Sequence, residues 1–372
     1  MQKKGKCDDL MIHIAKPIIG EEEKKAVSKV LDSGIIAYGP KTKEFEKEFA
    51  RYVNSKYAIA TTSGTTALHL ALLSIGIKEG DEVIVPSFSF IASANTIIFC
   101  NAKPVFCDVN PKTFNIEIDE LKKLITKKTK AIMPVHLYGQ PAEMKPILEI
   151  GKEKGIVIIG DAAQAHGAQY HNKRIGSISD LECFSFYPTK NMTTGEGGMI
   201  TTNNHDIYNK LLSIRNHGRE KTKWGYNHGR IGYNYRMTDI AAAIGSEQLK
   251  KLDKFNDKRI ENANFYNEEL KGVETPFLIN KVKHVYHQYT IKCKKRNMLI
   301  KELEKNEIGY GIYYPKPLHQ YSHLKQFGHK KLKVSEKIVK EVISIPVHPS
   351  IKKEDLEKIT NVTNGVFQYH GK

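Results

Sequence analysis

Nowhere in the 372 residues does an apolar run approach the roughly 18 residues needed to cross a bilayer, which leaves no candidate membrane-spanning helix. The lysine-rich start, Met1 to Asp9, is followed by neither an apolar segment nor a small-residue cleavage site. A secretory signal is therefore not expected, and the protein reads as cytoplasmic. Cysteine is scarce: Cys7, Cys100, Cys107, Cys183 and Cys293 make an odd set without a C-x-x-C pair, which argues against a disulfide framework and a zinc ribbon. The 15 histidines show no His-Glu-x-x-His or comparable spacing. His136, His166, His171, His284 and His287 accordingly read as scattered core or surface residues, and no metal site is expected. Low-complexity segments are missing, and the twice-occurring His-Gly-Arg tripeptide is too short to be an internal repeat.

Negative charge is in short supply, with 41 Asp and Glu against 58 Lys and Arg and a net charge of +17. Such a balance invites nucleic acid or an anionic substrate. The lysines, however, alternate with acidic residues, as in Glu21 to Lys25 and Lys43 to Glu48, which is the pattern of solvated helix faces. No nucleic-acid motif accompanies them, so a nucleic-acid partner is not expected.

A chain of this length predicts about two domains, at a typical ~100–200 residues each. Seven strand-like runs appear between Tyr57 and Thr202: Tyr57–Thr61, Glu82–Val85, Lys103–Val109, Lys130–Val135, Ile156–Gly160, Leu181–Tyr187 and Gly198–Thr202. Helix candidates lie between them at Thr65–Ile75, Ala92–Phe99, Ile118–Ile125 and Pro141–Lys154. Alternation of this kind predicts a doubly wound α/β core with a mainly parallel sheet covered by helices on both faces. Ligands of such sheets gather at the carboxyl ends of the strands. A long helix is expected from Thr238 to about Leu270, followed by a smaller α+β unit with strands at Gln288–Cys293 and Val342–Pro346 and a last helix over Lys352–Asn361. The boundary is placed near Lys250, giving domains over residues 1–250 and 251–372.

Three segments carry chemistry. Thr61 to Leu68 follows the first strand and opens a helix; Gly64 allows close approach and Ser63, Thr65 and Thr66 bring hydroxyls, which suits an anion at a helix start. Read alone, the same segment is an ordinary Ser or Thr N-cap. Asp161 ends a strand-like run, with Gln164 three residues on. A carboxylate there can pair with a protonated ring nitrogen, or serve as a metal ligand or helix cap. Lys190 follows Ser185 by five residues and precedes the Gly-rich turn Gly195-Glu196-Gly197-Gly198. That setting fits a lysine held at fixed distance for nucleophilic work, or a plain loop lysine.

Taken in order, Ser63-Gly64-Thr65, Pro86 to Ala92, Asp161-Ala162-Ala163-Gln164, Ser185 to Lys190, Gly195 to Gly198 and Gly232 to Met237 resemble the DegT/DnrJ/StrS sugar aminotransferases. The likeness continues through Gly311 to His319 and Ile345 to Pro349, and so covers nearly the whole chain. It implies a fold-type I enzyme dependent on pyridoxal 5′-phosphate (PLP), with a seven-stranded, mainly parallel sheet in a large PLP-binding domain and a smaller C-terminal α+β domain. It further implies a homodimer with active sites shared between subunits. By the same resemblance Lys190 carries the cofactor as a Schiff base and Asp161 partners the pyridine nitrogen. Gln164 contacts the ring or its phenolic oxygen, and Phe90 is the stacked aromatic residue, although Phe88 sits close to the same position. Gly64, Thr65 and Ser185 form the phosphate cradle, and Asn234 reaches the phosphate from the neighbouring subunit.

The expected reaction moves an amino group from a donor, L-glutamate by family analogy, to a ketone at C3 or C4 of a nucleotide-linked sugar, for aminosugar and surface polysaccharide biosynthesis. Arg230 is the first candidate for the sugar nucleotide's diphosphate, ahead of Arg219 and Arg236, and Tyr314 and His319 are candidates for the sugar pocket. The alternative is a PLP-binding regulator that lacks turnover.

Overall fold

The computed structural model describes residues 11–327 and 331–368; Cys7 and the Met1–Asp9 segment lie outside them. The seven strands of the main sheet are β1 (Tyr57–Thr61), β2 (Glu82–Pro86), β3 (Lys103–Cys107), β4 (Thr129–Ile132), β5 (Val157–Asp161), β6 (Leu181–Ser185) and β7 (Gly198–Thr202). In space they run β1-β7-β6-β5-β4-β2-β3. All neighbours pair in parallel except β7, which is antiparallel to both β1 and β6. Each expected strand is present, with ends moved by a few residues.

Strict alternation along these strands is what builds two cores. Ala58, Ala60, Ile84, Ile158 and Phe184 face one cluster, while Ile59, Val83, Val85, Ile159 and Cys183 face the other. The first is covered by α2 (Pro40–Val53) through Phe45 and Phe49, by α6 (Met144–Lys154) and by the start of α8 (Asp239–Glu269). Covering the second are α3 (Gly64–Ser74), α4 (Ile91–Phe99) and α7 (His205–Arg215). A parallel sheet buried on both faces has strands of nearly continuous apolar residues, as here.

Two further helices, α1 (Glu21–Ser33) and α5 (Ile118–Leu124), flank this body. The polar stretch after α7 is an exposed hairpin, β8 (Arg219–Thr222) with β9 (Gly225–His228). Helix α8 runs without interruption from the main sheet to a third cluster. There Ala263, Tyr266 and Leu270 meet β10 (Tyr289–Lys292), β11 (Val342–Ile345), α9 (Arg296–Lys305) and α11 (Lys353–Gln368). Another short helix, α10 (Lys333–Ile338), is fastened by Asp108, which accepts from the Val334 and Ser335 N–H groups and the Ser335 hydroxyl. Cys100, Cys107, Cys183 and Cys293 are buried free thiols.

Among the described residues no helix is long and apolar enough to cross a membrane.

Candidate active site

A cavity of about 720 Å³ opens at the carboxyl edge of the sheet. Its walls include Gly64, Thr65, Phe90, Asp161, Gln164, Ser185, Lys190 and Tyr314, eight positions that the sequence singles out from segments far apart in the chain.

One end is the start of α3. Ser63 caps the helix by accepting from Thr66 N–H at 3.1 Å, and the Thr66 hydroxyl accepts in return from Ser63 N–H at 2.9 Å. This reciprocal arrangement consumes the donors of Ser63 and Thr66. The N–H groups of Gly64 and Thr65, without partners inside the helix, line the cavity beside Ser185. Gly64 is the residue that permits this: a β-carbon there would lie 2.6 Å from the Ser185 Cβ.

Opposite stands Asp161, the last residue of β5 and 5% exposed. Burial raises its carboxyl above the ordinary range, and the Ser93 hydroxyl and Ala163 N–H act against that by donating to its two oxygens at 2.8 and 3.2 Å. Nothing in the sequence marked Ser93, since only the packing of α4 over β5 brings it there. Lys190 lies in a loop that closes on itself: Lys190 N–H donates to Tyr187 carbonyl, Thr194 N–H and the Thr193 hydroxyl to Phe186 carbonyl, and Gly195 N–H to the Thr193 hydroxyl. Burial lowers the Lys190 ammonium to about 8, with the Asp161 charge pulling the other way.

Between them Gln164 is fixed in orientation. Its Oε1 accepts from Tyr138 N–H at 2.7 Å and its Nε2 donates to the Tyr314 hydroxyl at 3.0 Å. Burial pushes the Tyr314 hydroxyl up, which keeps it protonated. Phe90, just ahead of α4, is 52% exposed and forms a wall, its ring 5.9 Å from that of Tyr314. Phe88 is fully buried among Phe114, Tyr138 and Tyr314 and does not line the cavity.

The remaining candidates lie elsewhere. His319 is buried behind the cavity, its Nδ1 2.6 Å from the Ser87 hydroxyl and its Nε2 3.4 Å from Glu336. Arg230 is on the exposed hairpin side, paired with Glu220 through Nη2 at 2.5 Å and Nε at 3.1 Å. Asn234 is exposed and bridged to Asn216. Conversely, His287, Gln288, Tyr187, Tyr313 and Glu196 line the cavity without having been foreseen.

An amine, a buried carboxylate, a flat aromatic wall and a helix-start anion cradle around one cavity fit pyridoxal phosphate: Gly64, Thr65 and Ser185 for the phosphate, Phe90 and Asp161 for the ring, Lys190 for the aldehyde carbon. Residues 17–364 match the model of the DegT/DnrJ/EryC1/StrS aminotransferase family. The chain belongs to that family. It is similar to GDP-perosamine synthase of Caulobacter vibrioides, 40% identical over 94% of this chain and 96% of the relative. It is also similar to UDP-N-acetyl-3-dehydro-alpha-D-glucosamine 3-aminotransferase of Acidithiobacillus ferrooxidans, 37% identical over 95% of each. The PLP form of a sugar aminotransferase from Streptococcus pneumoniae superposes with a TM-score of 0.90, at 29% identity over 96% of this chain and 99% of that one. The chain is a PLP-dependent sugar aminotransferase.

Proposed function

We propose that the enzyme transfers an amino group from L-glutamate to a C3 or C4 ketone of a sugar nucleotide, with Lys190 as the cofactor-bearing residue. The observation that carries this reading is the convergence of Lys190 and Asp161 on one cavity whose far end is the Gly64–Thr65 helix start. Pyridoxal phosphate, when bound, supplies the electron sink that stabilises negative charge at the carbon bearing the amino group. Lys190 does the proton work: with its ammonium held to about 8, Nζ exists in both forms near neutral pH and can take a proton from carbon and return it. Asp161, its anion supported by Ser93 and Ala163, provides the negative charge that a protonated ring nitrogen requires. Tyr314, protonated and oriented by Gln164, presents a hydroxyl to the substrate.

Asn234 and Arg230 are outside the cavity of their own chain, which supports a role toward the cavity of a second copy. In that arrangement Arg230 exchanges its exposed bond to Glu220 for a phosphate oxygen, and Asn234 completes the cofactor phosphate cradle. Two relatives at 40% and 37% identity, one of them a 3-aminotransferase, set the substrate class to be screened.

The deciding experiment follows the visible absorption of the PLP-loaded enzyme before and after L-glutamate, with no sugar present. Loss of the lysine-dependent band on adding glutamate supports the donor, and NMR of the product from each ketosugar nucleotide then assigns the aminated carbon. A band that glutamate leaves unchanged overturns the donor assignment. Mixing Lys190→Ala with Asn234→Ala protein tests the shared site, because recovery of activity in the mixture requires that one chain complete the other's cavity.

A further inference from the structure

We propose that Asn256 is a positioning residue for Lys190, joining through one buried amide the loop that holds the lysine and the turn that follows Asp161. The proposal rests on the assignment of Lys190 above.

Asn256 is on α8, distant in sequence from every motif, and fully buried. Its Oδ1 accepts from Asn191 Nδ2 at 2.7 Å, and Asn191 is the residue next to Lys190. Its Nδ2 donates to the His166 carbonyl at 2.8 Å, five residues beyond Asp161. Asn191 Nδ2 donates a second time, to the Val285 carbonyl at 3.0 Å, ahead of His287 and Gln288 in the cavity wall. Three wall segments therefore meet on two side-chain amides. The fit is close: Gly167 has φ +79°, and a β-carbon on it would lie 2.6 Å from Asn256 Nδ2 and 2.6 Å from the Tyr52 hydroxyl.

A solvated amide would form these bonds with water at little cost. In a buried place, removing one partner leaves the others unpaired and out of reach of water. Two hydrogen bonds are also too few to account for the stability of a sheet this size, whereas they are enough to fix one loop. What they fix is the depth of the Lys190 amine. Asp161 from β5 acts on the charge of that amine, which in turn acts on His166 from the turn after β5 and His287 from the 285–288 turn, and Arg259 of α8 acts on both histidines. A loosened loop lets water reach Nζ and relieves the burial that keeps its ammonium low.

The test is the pH dependence of acetylation of Lys190 by acetic anhydride in cofactor-free protein, read by mass spectrometry of the Lys190 peptide. Wild type is expected to give a midpoint near 8. In Asn256→Ala the midpoint is expected to rise by about one pH unit or more as solvation returns. Asn256→Asp keeps the size of the side chain and the acceptor for Asn191 but has no donor for the His166 carbonyl; its midpoint is also expected to rise, and it carries the test if the alanine variant does not fold. Tyr52→Phe is the control, since it removes the 2.6 Å bond to Asp253 between α2 and α8. It is expected to lower Tm without moving the midpoint. An unmoved midpoint in a folded Asn256 variant overturns the proposal, as does an equal shift in Tyr52→Phe. If Lys190→Ala abolishes turnover while the Asn256 variants keep the wild-type midpoint, Lys190 retains its assignment and Asn256 loses its own.

Discussion

Gly64 and Ser185 touch across the cavity floor so closely that a β-carbon on the glycine would come within 2.6 Å of the serine's. Gly64→Ala must therefore push the start of α3 away from the end of β6. The expected result is a loss of about tenfold or more in PLP affinity, from the spoiled anion cradle, with the fold retained. Fluorescence titration of cofactor-free protein with PLP measures it, and an unchanged Kd would remove Gly64 from the cradle.

Lys190→Ala is expected to reduce turnover by at least about a thousandfold, on the scale of losing a positioned acid–base group. Asp161→Asn keeps an acceptor for the Ser93 hydroxyl but loses the charge. Its kcat should fall by about a hundredfold or more, the scale of removing one preorganised electrostatic partner, while its melting temperature stays near wild type. Steady-state kinetics together with thermal melting separates these effects from unfolding.

Phe88 and Phe90 are two residues apart and have opposite fates. Phe88 is fully buried and Phe90 is 52% exposed. Phe88→Ala should cost about 3–5 kcal/mol of stability, as for a large core deletion. Phe90→Ala should leave stability within about 1 kcal/mol and act instead on PLP binding. Chemical denaturation of both variants, beside PLP titration, checks the contrast.

Acid should weaken the fold in a specific window. Burial lowers His166 and His284 to about 3 and His348 to about 4. Below the unfolded value near 6.5 the unfolded chain binds protons that the folded chain refuses, so stability falls as pH drops toward those values. Each histidine contributes at most about 1.4 kcal/mol per pH unit. Melting curves from pH 7 to pH 4 should show this decline, and His166→Phe, beside Phe184 and Phe186, should flatten it.

Much of this was legible in the sequence because it is local. Apolar runs a few residues long marked every strand of the main sheet, and Ser63, Asp161 and Lys190 drew notice by following strand ends, although only the family resemblance gave them roles. Strand β1, read as the apolar run Tyr57–Thr61, is found at those residues. What stayed hidden depends on distance. Ser93 meets Asp161, and Asn256 meets Asn191, only after helices dock on the sheet, and neither helix carries a sign of it in its own periodicity. His319 belongs with these, because its motif does not disclose that the side chain is buried with Nδ1 at the Ser87 hydroxyl. The β8–β9 hairpin escaped because its residues, Trp224 and Tyr226 included, are almost all exposed, leaving no alternation of burial to read.

The antiparallel course of β7 gives the lysine a separate history from the rest of the cavity. Ser185 pairs with Gly198, so residues 186–197 form the closed tip of a hairpin; the bonds within that tip join near neighbours, while Asn191 is tied to Asn256 and Val285 from afar. Short loops are entropically cheap to close, and contacts between sequence neighbours can form early in folding. Gly64 and Asp161 reach the same place only by way of far longer loops. The amine is thus carried on the piece of the site closed by the shortest loop, whereas the anion cradle and the carboxylate are brought to it across far longer stretches of chain.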